Sequence, residues 1–193
     1  MRLVMPVLLL GVLAGCAHEP PPAPPPVVVA RPKPVFPPPI QAPVCAKPAE
    51  KTAFALAALR MQLSVVELTC DQRDAFNDFT TKFRRDIGDA NKTLGAFFTR
   101  AYARQGQAQQ DQYETMQINQ TSQAGQYYGA DFCKTYGTQL ADVLALKDGA
   151  ALADYATAQH FDQTVVADEC PPPAAPAPKA SPIKAPAKAP AKG

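Results

Sequence analysis

Residues 71–104 read DQRDAFNDFTTKFRRDIGDANKTLGAFFTRAYAR, and apolar side chains recur along this stretch every three or four residues. This spacing places them on one face of an α-helix, which turns once in about 3.6 residues. The stretch therefore predicts one long helix, with aspartates in its first turn and arginines in its last, as the helix dipole favours. The apolar stripe comprises Phe76, Phe79, Phe83, Ile87, Ala90, Leu94, Phe97 and Ala101.

Similar spacing predicts further helices on both sides of this stretch. A first helix covers about 50–68, a third covers about 108–136, and Asp148 is expected to cap a short last helix. No segment alternates apolar and polar residues in the way that is typical of strands. The apolar anchors are, in the first helix, Leu56, Leu59, Leu63, Val66 and Cys70; in the third, Tyr113, Met116, Tyr127 and Phe132; and in the last, Leu152, Tyr155 and Ala156.

The 22 prolines are confined to the two ends of the chain, 14 of them before residue 49 and eight from Pro171 onward. Proline lacks the backbone donor that a helix needs, so the proline-free middle is the one helical domain. The expected fold class is all-α, a small antiparallel helical hairpin or bundle stapled by disulfides and flanked by disordered proline-rich segments. One domain of this size excludes a two-domain enzyme.

The first 16 residues have the pattern of an export signal. Arg2 supplies the positive charge, and the apolar run that ends at Leu13 is too short to span a bilayer. The run closes with Leu13-Ala14-Gly15-Cys16, which resembles the lipobox of bacterial lipoproteins. The resemblance implies cleavage before Cys16 and acylation of that cysteine, since several acyl chains anchor a protein stably. The alternative is an ordinary secretory signal in which Cys16 has no special role.

This resemblance divides the chain into four segments. Ala17 follows the cysteine and resembles the pattern that sorts lipoproteins to the outer membrane. The expected location is therefore the cell envelope, with the protein anchored in the outer membrane and facing the periplasm. The segments are a signal peptide over 1–15, a lipidated N-terminus and proline-rich linker over 16–48, the helical domain over 49–170 and a disordered tail over 171–193.

The linker is expected to be an extended spacer. Residues 17–44 favour polyproline II, and at roughly 3.1 Å per residue they reach on the order of 90 Å. The other interpretation is a docking ligand for a groove that recognises proline-rich segments. Val27-Val28-Val29 and Phe36 are the few apolar side chains of the linker that could adhere to a surface, so they are the first places to expect a contact.

Four cysteines remain after Cys16, an even number that in an exported chain predicts two disulfides. Cys45 and Cys170 bracket the proline-free block, and Cys70 and Cys133 lie on apolar helical stripes. This arrangement favours the nested pairs Cys45–Cys170 and Cys70–Cys133. The sequential pairs Cys45–Cys70 and Cys133–Cys170 stay open.

The same cysteines do not predict a metal site or a catalytic centre. No two of them lie within four residues of each other, so the paired spacing of zinc ligands is missing. The two histidines are His18, in the linker, and His160, beside Phe161. We therefore predict no cofactor, no metal and no catalytic residue, and we expect a protein that is not an enzyme.

The charges divide between the domain and the tail. The chain carries a net charge of +2, and residues 46–170 contain 12 basic and 16 acidic side chains. The tail has four lysines and no acid, so it is expected to attract cell wall or anionic lipid. A solubilising tail without a partner is the alternative, and nucleic acid is excluded by export. The tail lysines are Lys179, Lys184, Lys188 and Lys192.

Two aromatic residues and a glutamine-rich segment are the other interaction candidates. Phe98 and Tyr128 lie beside the apolar stripes rather than on them, so both are expected at an interface. Residues 105–126 contain nine glutamines, which suit pairing with a partner helix or recognition of sugar hydroxyls. A solvated helix face without a partner is the alternative.

These observations predict a non-enzymatic lipoprotein whose helical domain is a structural or protein-interaction module. The partners implied are a membrane, through the lipid anchor, and an envelope protein or the cell wall. A periplasmic module that binds a small ligand or a glycan is the alternative. Ala58-Leu59-Arg60 with Cys70 after it, and Phe132-Cys133, also loosely resemble exported helical proteins, and this resemblance implies no activity.

Overall fold

A computed structural model describes residues 33–172. The predictions for Cys16, the signal peptide and the four tail lysines lie outside these residues. The all-α prediction is confirmed, because the described chain is mostly helical. Its elements are β1 (Ile40–Gln41), α1 (Pro48–Cys70), α2 (Arg73–Lys82), α3 (Arg84–Tyr102), a 3₁₀ turn (Ala103–Gln105), α4 (Gly106–Tyr128), α5 (Ala130–Tyr136), α6 (Gln139–Ala145), α7 (Gly149–Ala158) and β2 (Val165–Val166).

Helix α1 is the central helix of the fold. Pro48 occupies its first turn, where no backbone donor is needed, and the Glu50 carboxylate accepts a hydrogen bond from the Lys47 backbone N–H at 2.7 Å. Its side chains pack against α3, α4 and α7. Among the described residues, α1 is the one helix long and apolar enough to cross a bilayer, and half of that stretch is buried inside the protein. Its central position accounts for its apolar composition.

The long helix predicted over 71–104 is two helices in the structure, which corrects that prediction. The break lies at Phe83, whose φ of −106° and ψ of 22° leave the helical range. The hydrogen bond from Phe83 N–H to the Phe79 carbonyl persists, so the apolar stripe keeps its phase across the break. The bend lets α2 pack on α6 while α3 packs on α1. Periodicity does not reveal such a break, because the spacing of the stripe is unchanged.

The helix predicted over 108–136 is also interrupted. Gly129 ends α4 with φ 55° and ψ −126°, a conformation that glycine adopts without the steric cost of a Cβ atom. The predicted cap of the last helix is confirmed: Asp148 precedes α7, and its Oδ1 accepts a hydrogen bond from the Ala151 N–H at 2.9 Å.

A cluster of aromatic rings forms one half of the core. The Phe54 ring on α1 lies 5.1 Å from Phe97, 5.9 Å from Phe98 and 5.2 Å from Tyr113, measured between ring centroids. Phe98 is 1% exposed, so the prediction that it lies at an interface is wrong. Helix α3 contacts α1 and α4, and both adjacent phenylalanines are buried there. The second half of the core includes Leu59, Leu63, Val66, Phe79, Phe83, Phe132, Leu140, Val143 and Leu152.

Two short strands join the two ends of the domain. Strand β1 pairs in parallel with β2, with Ile40 opposite Val165, and the pairing continues at a bridge between Ala46 and Glu169. This corrects two predictions, since strands do occur and the folded unit begins at least nine residues before residue 49. Prolines at positions 39 and 43 are tolerated because the backbone N–H donors of this pairing belong to residues between them. Ile40 N–H donates to the Thr164 carbonyl, and Ala42 N–H donates to the Val166 carbonyl.

Two disulfides close the fold, in the nested arrangement that the sequence favoured over sequential pairing. Cys45 is bonded to Cys170 with their Cα atoms 4.9 Å apart, beside the paired strands. Cys70, at the end of α1, is bonded to Cys133 in α5 with a Cα separation of 5.6 Å. One bond ties the two ends of the domain to each other, and the other ties α1 to a helix late in the chain.

The start of α4 approaches α3 so closely that glycine is required there. A Cβ atom at Gly106 would lie 2.7 Å from the Cα atom of Thr99, whereas one at Gly88 would meet nothing within 4 Å. We expect Gly106→Ala to lower the free energy of unfolding by about 1–3 kcal/mol. Gly88→Ala, the matched control inside α3, should raise it by about 0.5–1 kcal/mol. Urea denaturation followed by circular dichroism measures both, and equal stability of the two variants would contradict the close approach.

Candidate ligand groove along the glutamine-rich helix

Several glutamines of α4 hold the segment that leads to β2. The Gln117 side chain uses both ends of its amide: Nε2 donates to the Asp162 carbonyl at 2.9 Å, and Oε1 accepts from the Thr164 N–H at 3.0 Å. Gln120 donates to the same Asp162 carbonyl at 3.3 Å. These bonds satisfy backbone groups that would otherwise be buried unpaired. Part of the glutamine-rich face is therefore a docking surface for the protein's own chain, rather than a solvated face.

Tyr113 fixes the same segment from one turn earlier on α4. Its hydroxyl donates to Gln163 Oε1 at 2.9 Å, and Gln163 in turn donates to the Phe54 carbonyl. Burial raises the pKa of the Tyr113 phenol well above its usual value, and the nearby Glu114 carboxylate raises it further. The phenol is therefore a neutral donor in the core, and it links α1, α4 and the chain before β2.

Beside this junction lies a groove of about 290 Å³. Helix α4 forms one wall, the segment 159–162 forms another, and α1, α5 and α6 contribute side chains to it. Its volume is near the lower limit of small-ligand pockets, about 300 Å³. Its amide side chains are Gln62, Gln117, Gln120, Gln139 and Gln159, and its aromatic side chains are Phe36, Phe132, Tyr136 and Phe161.

Two of the amides form a pair in the groove. Gln62 Nε2 on α1 donates to Gln139 Oε1 on α6 at 2.6 Å, and Gln139 is 8% exposed. Within residues 33–172, this bond leaves Gln62 Oε1 and Gln139 Nε2 without a hydrogen-bond partner. The pair thus offers one acceptor and one donor to a molecule in the groove.

Aromatic rings provide the apolar part of the lining. The Tyr136 ring packs against Phe132 with centroids 4.9 Å apart, and both rings reach the groove together with Phe161. Burial raises the pKa of the Tyr136 phenol, and the neighbouring Tyr128 and Asp162 raise it further. Tyr136 is therefore a neutral hydroxyl at physiological pH, able both to donate and to accept a hydrogen bond.

The linker residues from Val35 to Pro38 border a second depression of about 240 Å³ on the same side of α4. Phe36 and Gln120 line both depressions, so the two are neighbours. Thr164 lines the second one; the residue is 5% exposed, and its hydroxyl has no hydrogen-bond partner among the described residues. A buried hydroxyl without a partner is costly, and a bound polar group would remove that cost.

The lining of the groove carries little charge. Asp162 and His160 are its ionisable residues besides Tyr136, both are exposed, and no lysine or arginine lines it. An anionic ligand would meet no positive charge there other than a protonated His160. Among residues 33–172, no group of three or more His, Cys, Asp or Glu side chains is placed to hold a metal ion.

The candidates from the sequence have different positions in the structure. Tyr128 is 48% exposed and packs edge-on against Tyr127, so it stays available to a partner, whereas Phe98 is in the core. Sequence reasoning missed Gln62 and Gln139, which lie on different helices and have no local signal. The number of glutamines in α4 was the one visible indication of a polar groove. Of the linker residues for which a contact was expected, Phe36 lines the groove and Val27-Val28-Val29 lie outside the described residues.

Comparison with known proteins adds no relative to these observations. No protein-family model matches the chain, and no curated protein and no solved structure matches it significantly.

Proposed function

We propose that this chain is a non-enzymatic lipoprotein of the bacterial envelope, anchored through Cys16 in the outer membrane and facing the periplasm. The lipobox-like Leu13-Ala14-Gly15-Cys16 supports the anchor. The two disulfides support an oxidising compartment, because such bonds persist mainly outside the cytoplasm. In this proposal the helical domain is a structural or protein-interaction module.

The Cys45–Cys170 bond is the observation that carries the proposal. It joins the extended segment before α1 to the extended segment after α7, with the Cα atoms of the two cysteines 4.9 Å apart. A domain built in this way is displayed as a single rigid body on its linker. The exposed Tyr128 and the basic tail are then the surfaces offered to an envelope protein and to the cell wall or anionic lipid.

A second candidate function is a module that binds a small ligand or a glycan. The groove beside α4 favours it, because unpaired amide groups and aromatic rings face the same space.

Substitution of the lipidated cysteine tests the anchor. We expect the parent chain to be recovered in the membrane fraction. Its N-terminal peptide should begin at Cys16 and carry the added mass of acyl chains. Cys16→Ser should abolish both acylation and cleavage before residue 16, so the protein should be missing from the outer-membrane fraction and no acylated peptide should begin at that position. Cell fractionation and mass spectrometry of the N-terminal peptide measure both effects.

His18→Ser, two residues after the cysteine, is the control that should leave membrane attachment unchanged. A mature protein that begins at another residue, carries no acyl chain and has its four remaining thiols free would overturn the proposal.

A further inference from the structure

We propose that the groove beside α4 binds an uncharged, hydroxyl-rich glycan segment, with one sugar unit in the 290 Å³ depression and the next in the adjoining 240 Å³ depression. The inference deepens the second candidate function and rests on it. It also follows from the proposed location, since an envelope protein meets glycans there, but its test does not depend on lipidation.

The amide groups of the groove match the hydrogen-bonding character of a sugar. Each sugar hydroxyl both donates and accepts, and a side-chain amide does the same with two separate atoms. The Gln62–Gln139 pair presents an unpaired acceptor and an unpaired donor at a fixed separation, because the 2.6 Å bond between the two side chains holds both in place. A pre-ordered donor and acceptor of this kind bind a ligand without losing further side-chain entropy.

The aromatic rings provide the matching apolar surface. A pyranose ring has C–H groups on its faces, and these pack on the faces of aromatic rings. Phe161 is partly exposed at the groove, and Tyr136 adds a neutral hydroxyl to its ring. Phe36 stands between the two depressions and contributes to both, so it can contact two successive units.

Thr164 is an independent indication of a ligand. It is 5% exposed and borders the second depression, yet its hydroxyl has no partner among the described residues. Buried polar groups in folded proteins nearly always have a hydrogen-bond partner.

The charge of the lining selects the class of ligand. Without lysine or arginine, the groove lacks the cations that recognise phosphate or carboxylate groups. Asp162 would repel an anion, and its carboxylate is a good acceptor for sugar hydroxyls. A proline-rich peptide is the main competing ligand, because such peptides dock in grooves lined by aromatic side chains; the amide side chains among the aromatic rings of this groove favour a sugar instead.

The test uses the full mature chain in detergent micelles, titrated with chitotetraose and with cellotetraose, two neutral tetrasaccharides with and without N-acetyl groups. Isothermal titration calorimetry and the side-chain amide signals of glutamine in NMR spectra report binding. We expect saturable binding of at least one of them, with shifts of the Gln62 and Gln139 amide signals. Phe161→Ala and Gln62→Leu should each weaken it by about tenfold or more.

Gln107→Leu is the matched control, because Gln107 is an exposed glutamine of α4 that does not line the groove. It should bind like the parent chain, and thermal unfolding of each variant reports whether it is folded. If Phe161→Ala does not fold, Gln62→Leu decides the outcome. Any of three outcomes would overturn the inference. Neither sugar binds saturably, or the folded groove variants bind sugar as tightly as the parent chain, or the protein binds a proline decamer in place of the sugars. Failure of this test leaves the Cys16 anchor untouched, and loss of the anchor leaves this test unchanged.

Discussion

Phe98→Ala should lower the free energy of unfolding by about 3–5 kcal/mol, which is the usual effect of removing a fully buried phenylalanine ring. The ring is 1% exposed and packs against four other aromatic rings, with centroids 5.9 Å from Phe54, 5.4 Å from Phe97, 6.1 Å from Tyr102 and 5.7 Å from Tyr113. Its loss would leave a cavity where α1, α3 and α4 meet. Urea denaturation followed by far-ultraviolet circular dichroism gives the value.

Tyr128→Ala is the matched control, since the sequence suggested the same interface role for both aromatic residues. Tyr128 is 48% exposed, so its substitution should change the free energy of unfolding by no more than about 0.5 kcal/mol. If the two variants lost equal stability, or if Phe98→Ala were as stable as the parent chain, the position of α3 against α4 would have to be revised.

Replacing Cys70 and Cys133 together by alanine should lower the free energy of unfolding by about 4 kcal/mol. The two residues are 63 positions apart, and a cross-link across a loop of that length removes this much conformational entropy from the unfolded chain. The bond also ties α1 to α5 beside the Phe132 ring, so the variant should lose order around α5 first. Chemical denaturation of the oxidised parent and of the double variant measures the difference.

Reduction supplies the control for this second prediction. The parent chain treated with dithiothreitol loses both disulfides, so it should be less stable than the double variant, which keeps Cys45–Cys170. An oxidised parent whose denaturation midpoint does not change on reduction would show that the cross-links add no stability to the helical domain.

The helical stripes were readable from the sequence because they depend on local spacing, and the positions of the four cysteines favoured the nested pairing. The stripe from Phe76 to Ala101 correctly marks one buried face, and Asp148 correctly marks a helix start. The positions of the cysteines at the ends of the proline-free block and on two apolar stripes favoured the nested pairs, and the structure decides against the sequential pairs that the sequence left open. The stripe and the cap depend on residues that are close in sequence, and the prediction of two disulfides depends on the even number of cysteines.

The features that the sequence did not reveal depend on long-range contacts. The kink at Phe83 leaves the stripe in phase, so no spacing rule detects it. Phe98 is buried because α4 covers the side of α3 next to the main stripe, and this follows only from the packing of both helices. The pairing of Ile40 with Val165 joins segments that are 125 residues apart, and the first of them lies in proline-rich sequence that has no strand pattern. The Gln62–Gln139 pair likewise requires the finished fold.

The parallel pairing of β1 with β2 determines how the domain responds to tension. The chain enters before Ile40 at one end of this pair and leaves after Cys170 at the other. Pulling the two ends apart therefore shears the strands along their length, and the covalent link between Cys45 and Cys170 takes the load. The helices between Cys45 and Cys170 in sequence lie outside this load path, so they are not stretched. The helical domain should therefore keep its shape when the two ends of the described chain are pulled apart.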